Sequence, residues 1–390
     1  MKLFYLTLIT AEILMSCTGN FSDKEKESSK KDSTTTLYNL ANKKDFERTM
    51  EGKAVDLYTL KNQGIEISIT NYGGRIVNLL VPDKNGNPVD IIVGPGTLQQ
   101  FIDSKEPYFG ATIGRYGNRI ARGKFKLNGN EYTLPINNGQ NTLHGGKKGF
   151  QYAIWDTKQP SDSVLELSYL SKDGEEGFPG NLNVKVIYTL TKDTSMRIDY
   201  EATTDKPTVC NLTNHAFYNL NGYYAGTTNN HILQIDASSY TPVDSTLIPL
   251  GKIEPVAHTP FDFTTPQSIG ARINDTNNIQ LKNGGGYDHN FVLNRNAGNG
   301  LQKAVQAKGD KSGVVLTIYT QEPGVQFYSG NFMQSKNAVK GNHQDEYRTA
   351  IALEPQHFPD SPNQPQFPST ELKPGETYKT SSVYKFSTEK

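Results

Sequence analysis

Between positions 182 and 202 the apolar residues fall on every second place: Leu182, Val184, Val186, Tyr188 and Leu190, then Met196, Ile198, Tyr200 and Ala202. A period of two puts all of them on one face of a strand, and a helix of period 3.6 cannot gather them. The habit recurs along the chain. Short alternating runs at 55–60, 65–69, 76–81 and 89–93 are cut by turn residues such as Asn62-Gln63-Gly64, Tyr72-Gly73-Gly74 and Pro82-Asp83-Lys84-Asn85-Gly86-Asn87. Further strands are expected at 164–170, 208–212, 232–235, 290–293, 314–319, 325–328, 347–353 and 381–386. In segment 125–134, Asn128-Gly129 stands between two alternating arms and predicts a tight hairpin. Abundant glycine (35), proline (20), tyrosine (21) and phenylalanine (17) against few methionines (5) and one tryptophan suit strands and turns. Only short helical turns, near 97–102 and 266–271, are expected. Many strands without crossover helices imply an all-β chain, a large antiparallel β-sandwich in preference to a barrel.

No linker interrupts residues 46–390, which are expected to form one domain. Residues 18–45 are rich in Ser, Thr, Lys, Asp and Glu and cannot bury enough apolar surface to fold, so they read as a flexible polar tether. Residues 1–17 form an apolar run opening after Lys2 and closing on Leu14-Met15-Ser16-Cys17. This resembles a bacterial lipoprotein signal, in which Cys17 is lipidated and becomes the mature N-terminus. A lipid anchor in the cell envelope, at the periplasmic or outer-membrane face, is the location this implies, with a free periplasmic protein the alternative. Cys210, the other cysteine, then has no disulfide partner and reads as a small buried side chain.

Forty basic and forty acidic residues cancel, so no global field draws nucleic acid or an anionic membrane, and a neutral polar ligand fits better. There is no phosphate loop ending in Gly-Lys-Ser/Thr, no His-Glu-x-x-His, no Cys-x-x-Cys and no Gly-x-Ser-x-Gly elbow. Chemistry must come from histidines and acids in the loops and strand ends. Glu354, in Leu353-Glu354-Pro355-Gln356, follows an apolar run just where proline should take the chain out of the sheet. It is either a solvated junction residue or a base facing a cleft. His144 lies beside two glycines in Asn141-Thr142-Leu143-His144-Gly145-Gly146, His215 where a strand gives way to polar and aromatic residues, and Asp288 after a glycine run. Taken alone, His144 reads first as a structural loop residue, His215 as readily structural as functional, and Asp288 as a weak signal.

Six motifs taken in order are more specific: Gly114-Arg115-Tyr116-Gly117-Asn118-Arg119-Ile120, Asn141-Thr142-Leu143-His144-Gly145-Gly146, Leu212-Thr213-Asn214-His215, Tyr287-Asp288-His289-Asn290, Glu322-Pro323-Gly324-Val325-Gln326-Phe327-Tyr328 and Leu353-Glu354-Pro355-Gln356. Together they resemble the aldose 1-epimerases, or galactose mutarotases, over about residues 46–386. The resemblance implies an antiparallel β-sandwich and interconversion of the anomers of free monosaccharides such as glucose and galactose. It implies Glu354 as general base and His215 as general acid, with Arg119, His144, Asp288, Gln326 and Asn118 holding the sugar. No cofactor is implied, and a monomer with no nucleic-acid partner is expected. An ionised Glu354 near His215 should favour the imidazolium. Phe217, Tyr218 and Phe327 could offer the sugar an apolar face or simply fill the core. Two competing readings are a carbohydrate-binding lipoprotein without activity and a metal site built from His144, His215 and Glu354.

Overall fold

The computed structural model describes residues 41–296, 298 and 300–389; residues 1–17, including Cys17, and most of 18–45 lie outside them. Nine antiparallel strands form the largest sheet, in the order Asp156–Ser161, Val164–Ser171, Leu182–Thr191, Ser195–Thr204, Tyr378–Thr388, Val314–Thr320, Gln302–Lys308, Ile232–Ile235 and Gln267–Ser268. The alternating run that opened the sequence is its centre: Leu182 to Thr191 pairs residue for residue with Thr204 to Ser195. Leu182, Val184, Val186, Tyr188 and Leu190 are all buried, while the intervening residues face outward. The hairpin expected at 125–134 is present as Lys124–Leu127 and Asn130–Thr133, with φ of 50° at Asn128 and 82° at Gly129. Two positive φ values in a two-residue loop match the twist of the flanking strands.

A six-stranded sheet and a four-stranded sheet (Leu57–Asn62, Ile65–Thr70, Arg75–Pro82, Pro88–Asp90) share one apolar core with the nine-stranded sheet. Ile67, Ile76, Val186, Ile198, Leu316, Val325 and Leu353 all belong to it. Helix is confined to short pieces. Leu98–Asp103 is capped by the Thr97 side chain, and Ile279–Gly284 by Asn278. The second of these is not foreseen by the sequence pattern, because six residues leave too little room for a period to show.

Eight strands frame one cleft: β1 (Ala111–Ile113), β2 (Arg119–Ile120), β3 (Thr142–Leu143), β4 (Thr213–His215), β5 (Phe217–Tyr218), β6 (Asp288–Val292), β7 (Gly324–Tyr328) and β8 (Ile351–Gln356). Strands β5, β8, β7 and β6 are consecutive neighbours in the six-stranded sheet, whereas β4 pairs with β1 and β3 with β2. On β6, β7 and β8 the pleat divides the side chains. Phe291, Val325, Phe327, Ile351 and Leu353 enter the main core, and Asp288, Asn290, Gln326, Glu354 and Gln356 are set on the opposite face.

β8 departs from expectation at both ends. It begins at Ile351 rather than at Tyr347, since 347–350 form a turn with φ of 57° at Arg348. It also runs through Pro355, which pairs with Val325, instead of leaving the sheet there. The neighbour on the other side, β5, reaches only Ile351 and Ala352. Beyond Ala352 one edge of β8 is therefore without a ladder, and a proline with no N–H is tolerated.

Candidate active site

Glu354 is buried in the middle of a sheet and not solvated at a loop. Its Oε1 lies 3.6 Å from Nε2 of His215, while its Oε2 and the Nδ1 of His215 have no hydrogen-bond partner among the described residues. Buried polar atoms are usually paired, so each of these two adjacent titratable groups keeps one atom free of protein partners. Glu354 and His215 border a cleft of about 610 Å³. Asn118, Arg119, His144 and Asp288 also line it, so six of the residues named from the sequence meet in one place.

Local chemistry sets each of them. His144 sits at φ 50° in a turn completed by Gly145 at φ 83°, where a Cβ would collide with the carbonyl of Gly114. The backbone N–H of Asn118 donates to Nδ1 of His144 at 3.1 Å, which leaves the ring proton on Nε2. The Asn118 side chain accepts from the backbone N–H of Arg119 at 2.9 Å. Arg119 donates through Nε to Asn138 Oδ1 at 3.1 Å, and its Nη1 lies 3.8 Å from Asp288 Oδ2. Gln326 does not line the cleft. It stands behind Asp288 and donates to its Oδ1 at 2.7 Å, while the Gln356 side chain donates to the side-chain Oε1 of Gln326 at 3.4 Å.

Phe217 stands on the cleft wall, and Tyr218 and Phe327 lie in the core. The ring of Phe217 is 4.9 Å from that of His215 and inclined by 30°. Tyr108, which sequence pattern does not single out, lies 5.7 Å from His215 at 28° and 4.5 Å from His144, edge on. The fully buried Arg75 holds Tyr108 in place by donating to the carbonyls of Pro107 and Phe109 on either side of it, both at 2.8 Å. Lys105 and Glu106 form part of the rim, pinned by Asn337, whose Oδ1 accepts from both backbone N–H groups at 2.7 and 3.1 Å. An aromatic next to proline in a loop reads as core filling, so neither Tyr108 nor this rim carried a signal. His357, three residues after Glu354, does not line the cleft and pairs with Glu322 at 2.7 Å.

The model for the family described as aldose 1-epimerase matches residues 56–385. The chain belongs to the aldose 1-epimerase family. It is 40% identical over 338 residues to galactose mutarotase of Homo sapiens, covering 86% of this chain and 95% of that protein. Identity to aldose 1-epimerase of Escherichia coli (strain K12) is 36% over 340 residues, covering 86% and 96%. Among solved structures, an aldose epimerase homologue from C. elegans superposes with a TM-score of 0.80 at 30% identity, covering 86% of this chain and all (100%) of that one. The antiparallel sandwich read from the alternation is the fold of this family.

Electrostatics in this epimerase cleft differ from the expectation of a standing ion pair. Burial pushes His215 down to about 4, and the nearby Arg119 acts in the same direction. Burial holds the Glu354 carboxyl well above the usual range; Asp288 adds to this and Arg119 opposes it. A proton shared by the two therefore rests on the carboxyl. His144 is driven well below its ordinary value by burial and by His215. On the rim, burial raises Glu106 to about 7.

His144, His215 and Glu354 each bring one potential ligand atom within 4.8 Å of the others. They do not fit a metal site. His144 has its Nδ1 lone pair engaged by the Asn118 N–H and its Nε2 protonated, so it has no lone pair to give, and two donors are fewer than a catalytic zinc site uses.

Proposed function

We propose that this isomerase interconverts the α and β anomers of free aldohexoses, glucose and galactose among them, with Glu354 as base and His215 as acid. The observation that carries the reading is the placement of these two side chains 3.6 Å apart, each with an unpartnered atom, in the cleft of a mutarotase-family chain. Galactose as a substrate is supported by the name of the human relative.

Opening a hemiacetal removes the proton from the C1 hydroxyl and delivers one to the ring oxygen. Glu354 as carboxylate takes the hydroxyl proton; the C1–O5 bond breaks as C1=O1 forms, and the imidazolium of His215 protonates O5. Rotation about C1–C2 presents the other carbonyl face, and closure returns both protons. The pair needs one proton in total, the same number it holds when Glu354 is protonated and His215 neutral. Binding has only to move it across 3.6 Å. A hydroxyl donating to Glu354, with Arg119 nearby, favours the carboxylate and hence the reactive form. Each group is worth roughly 10²–10⁴ in rate. The Nε2–H of His144, the Arg119 fork and the Asp288 carboxylate offer two kinds of donor and one acceptor to the ring hydroxyls.

Polarimetry on freshly dissolved α-glucose and α-galactose tests the reading. Catalysed decay of rotation with either sugar is expected. Sugar binding without catalysed mutarotation would favour a carbohydrate-binding role. We also propose, from residues 1–17 alone, that the chain is anchored in the cell envelope through acylated Cys17.

A further inference from the structure

The acid and the base stand on strands that share no ladder among the described residues: β4 pairs with β1, and β8 with β5 and β7. Arg119 comes from a third place, β2, which pairs with β3. A proton-transfer pair tolerates little slack, so something must tie these segments to one another directly. One fully buried side chain does so. Asn211, four residues before His215, accepts through Oδ1 from the backbone N–H of His357 at 3.0 Å. Its Nδ2 donates to the carbonyl of the same His357 at 3.2 Å and to the carbonyl of Gly117 at 3.1 Å.

The backbone of Asn211 completes the grip. Its N–H donates to the Arg115 carbonyl at 3.1 Å, and its carbonyl accepts from the Gly117 N–H at 2.7 Å. The carboxamide thus acts as a short rung of ladder on the open edge that β5 leaves beside β8. It holds the chain three residues after Glu354, two before Arg119 and four before His215. From the other side, the imidazole of His357 is fixed by Glu322. Asn211 itself does not line the cleft.

We propose that Asn211 is a positioning residue for the acid–base pair, its carboxamide setting the separation of His215 and Glu354. This rests on the reading of those two residues given above. Asn211→Asp keeps the acceptor, removes both donated bonds and turns an oxygen toward two carbonyls. Asn211→Ser keeps a hydroxyl and loses the two-sided bracket; it supplies the measurement if the aspartate variant does not fold. The control is Asn71→Asp. Asn71 is also buried, with Nδ2 donating to the carbonyls of Ala54 and Trp155 at 2.9 and 3.0 Å, and it lines no part of the cleft.

The variants are compared by mutarotation of α-galactose, as kcat, KM and the pH dependence of kcat, at a temperature well below each melting point. The expected result is a kcat lower by roughly tenfold or more with KM within about threefold and a displaced pH profile, while Asn71→Asp keeps kcat within about twofold. A folded Asn211 variant whose kcat stays within about twofold of wild type, or falls no further than that of Asn71→Asp, overturns the proposal. Glu354→Gln run alongside separates the two failures. Its activity would remove the acid–base reading itself, whereas an inactive Glu354→Gln beside a fully active Asn211 variant would remove only the positioning role.

Discussion

Glu354→Gln should abolish activity and stabilise the fold, and both effects follow from one buried carboxyl. Removing the base costs about 10²–10⁴ in kcat, or about 3–5 kcal/mol of barrier. Glutamine is nearly isosteric with the protonated acid, so packing is preserved. The stability effect has a pH signature. Glu354 keeps its proton in the folded state to higher pH than in the unfolded chain, because burial raises its pKa. Below the unfolded value of about 4.5, both states are protonated and the two proteins should be equally stable. As pH rises above it, the unfolded wild type releases a proton that the folded form retains. Wild-type stability then falls relative to the variant by up to about 1.4 kcal/mol per pH unit, until the folded pKa is passed. Urea unfolding of both proteins from pH 4 to pH 8, with polarimetric rates on the same preparations, measures the two effects together. Parallel stability curves would refute the account of the buried carboxyl, and activity within tenfold of wild type would refute the base.

His215→Gln should lower kcat by roughly 10²–10⁴ with little change in KM, checked by initial rates over a range of galactose concentrations. Gln326→Leu removes the hydrogen bond that orients Asp288 and leaves its buried oxygen unpaired. A loss of about 1–3 kcal/mol in kcat/KM is expected, smaller than that for either member of the acid–base pair. Cys17→Ala should abolish incorporation of radioactive palmitate and move the protein from the membrane fraction to the soluble one.

Strand after strand was legible in the residues because alternation is local: Leu182 to Leu190 and the Asn128-Gly129 hairpin needed only their own neighbours. The ends of β8 were not. Whether Pro355 leaves a sheet depends on the missing partner along one edge, and that depends on where β5 stops. The site was legible only through the family resemblance. Glu354, His215, Arg119, His144 and Asp288 are scattered from 119 to 354, and no spacing rule joins an acid and a base whose strands share no ladder. Tyr108 and Asn211 left no signal. An aromatic in a loop and an asparagine near a strand end are common, and their importance arises from which backbone groups the fold brings within 3.2 Å or which imidazole it sets beside them. The expected standing charge on Glu354 failed for a related reason: sequence shows which groups can ionise, while burial decides which of them do.

The pleat that sends Leu353 into the core and Glu354 to the opposite face has a consequence for how such a gene can change. Loss of a single codon within β7 or β8 would exchange the two faces, delivering carboxylate and carboxamide groups to the oil and leucine to the sugar. The lesion would strike folding and chemistry at once, and no point substitution could repair it. Losing two codons would keep each remaining side chain on its own face and merely shorten the strand. Lineages of this fold should therefore vary in length within their loops and keep the parity of these strands unbroken.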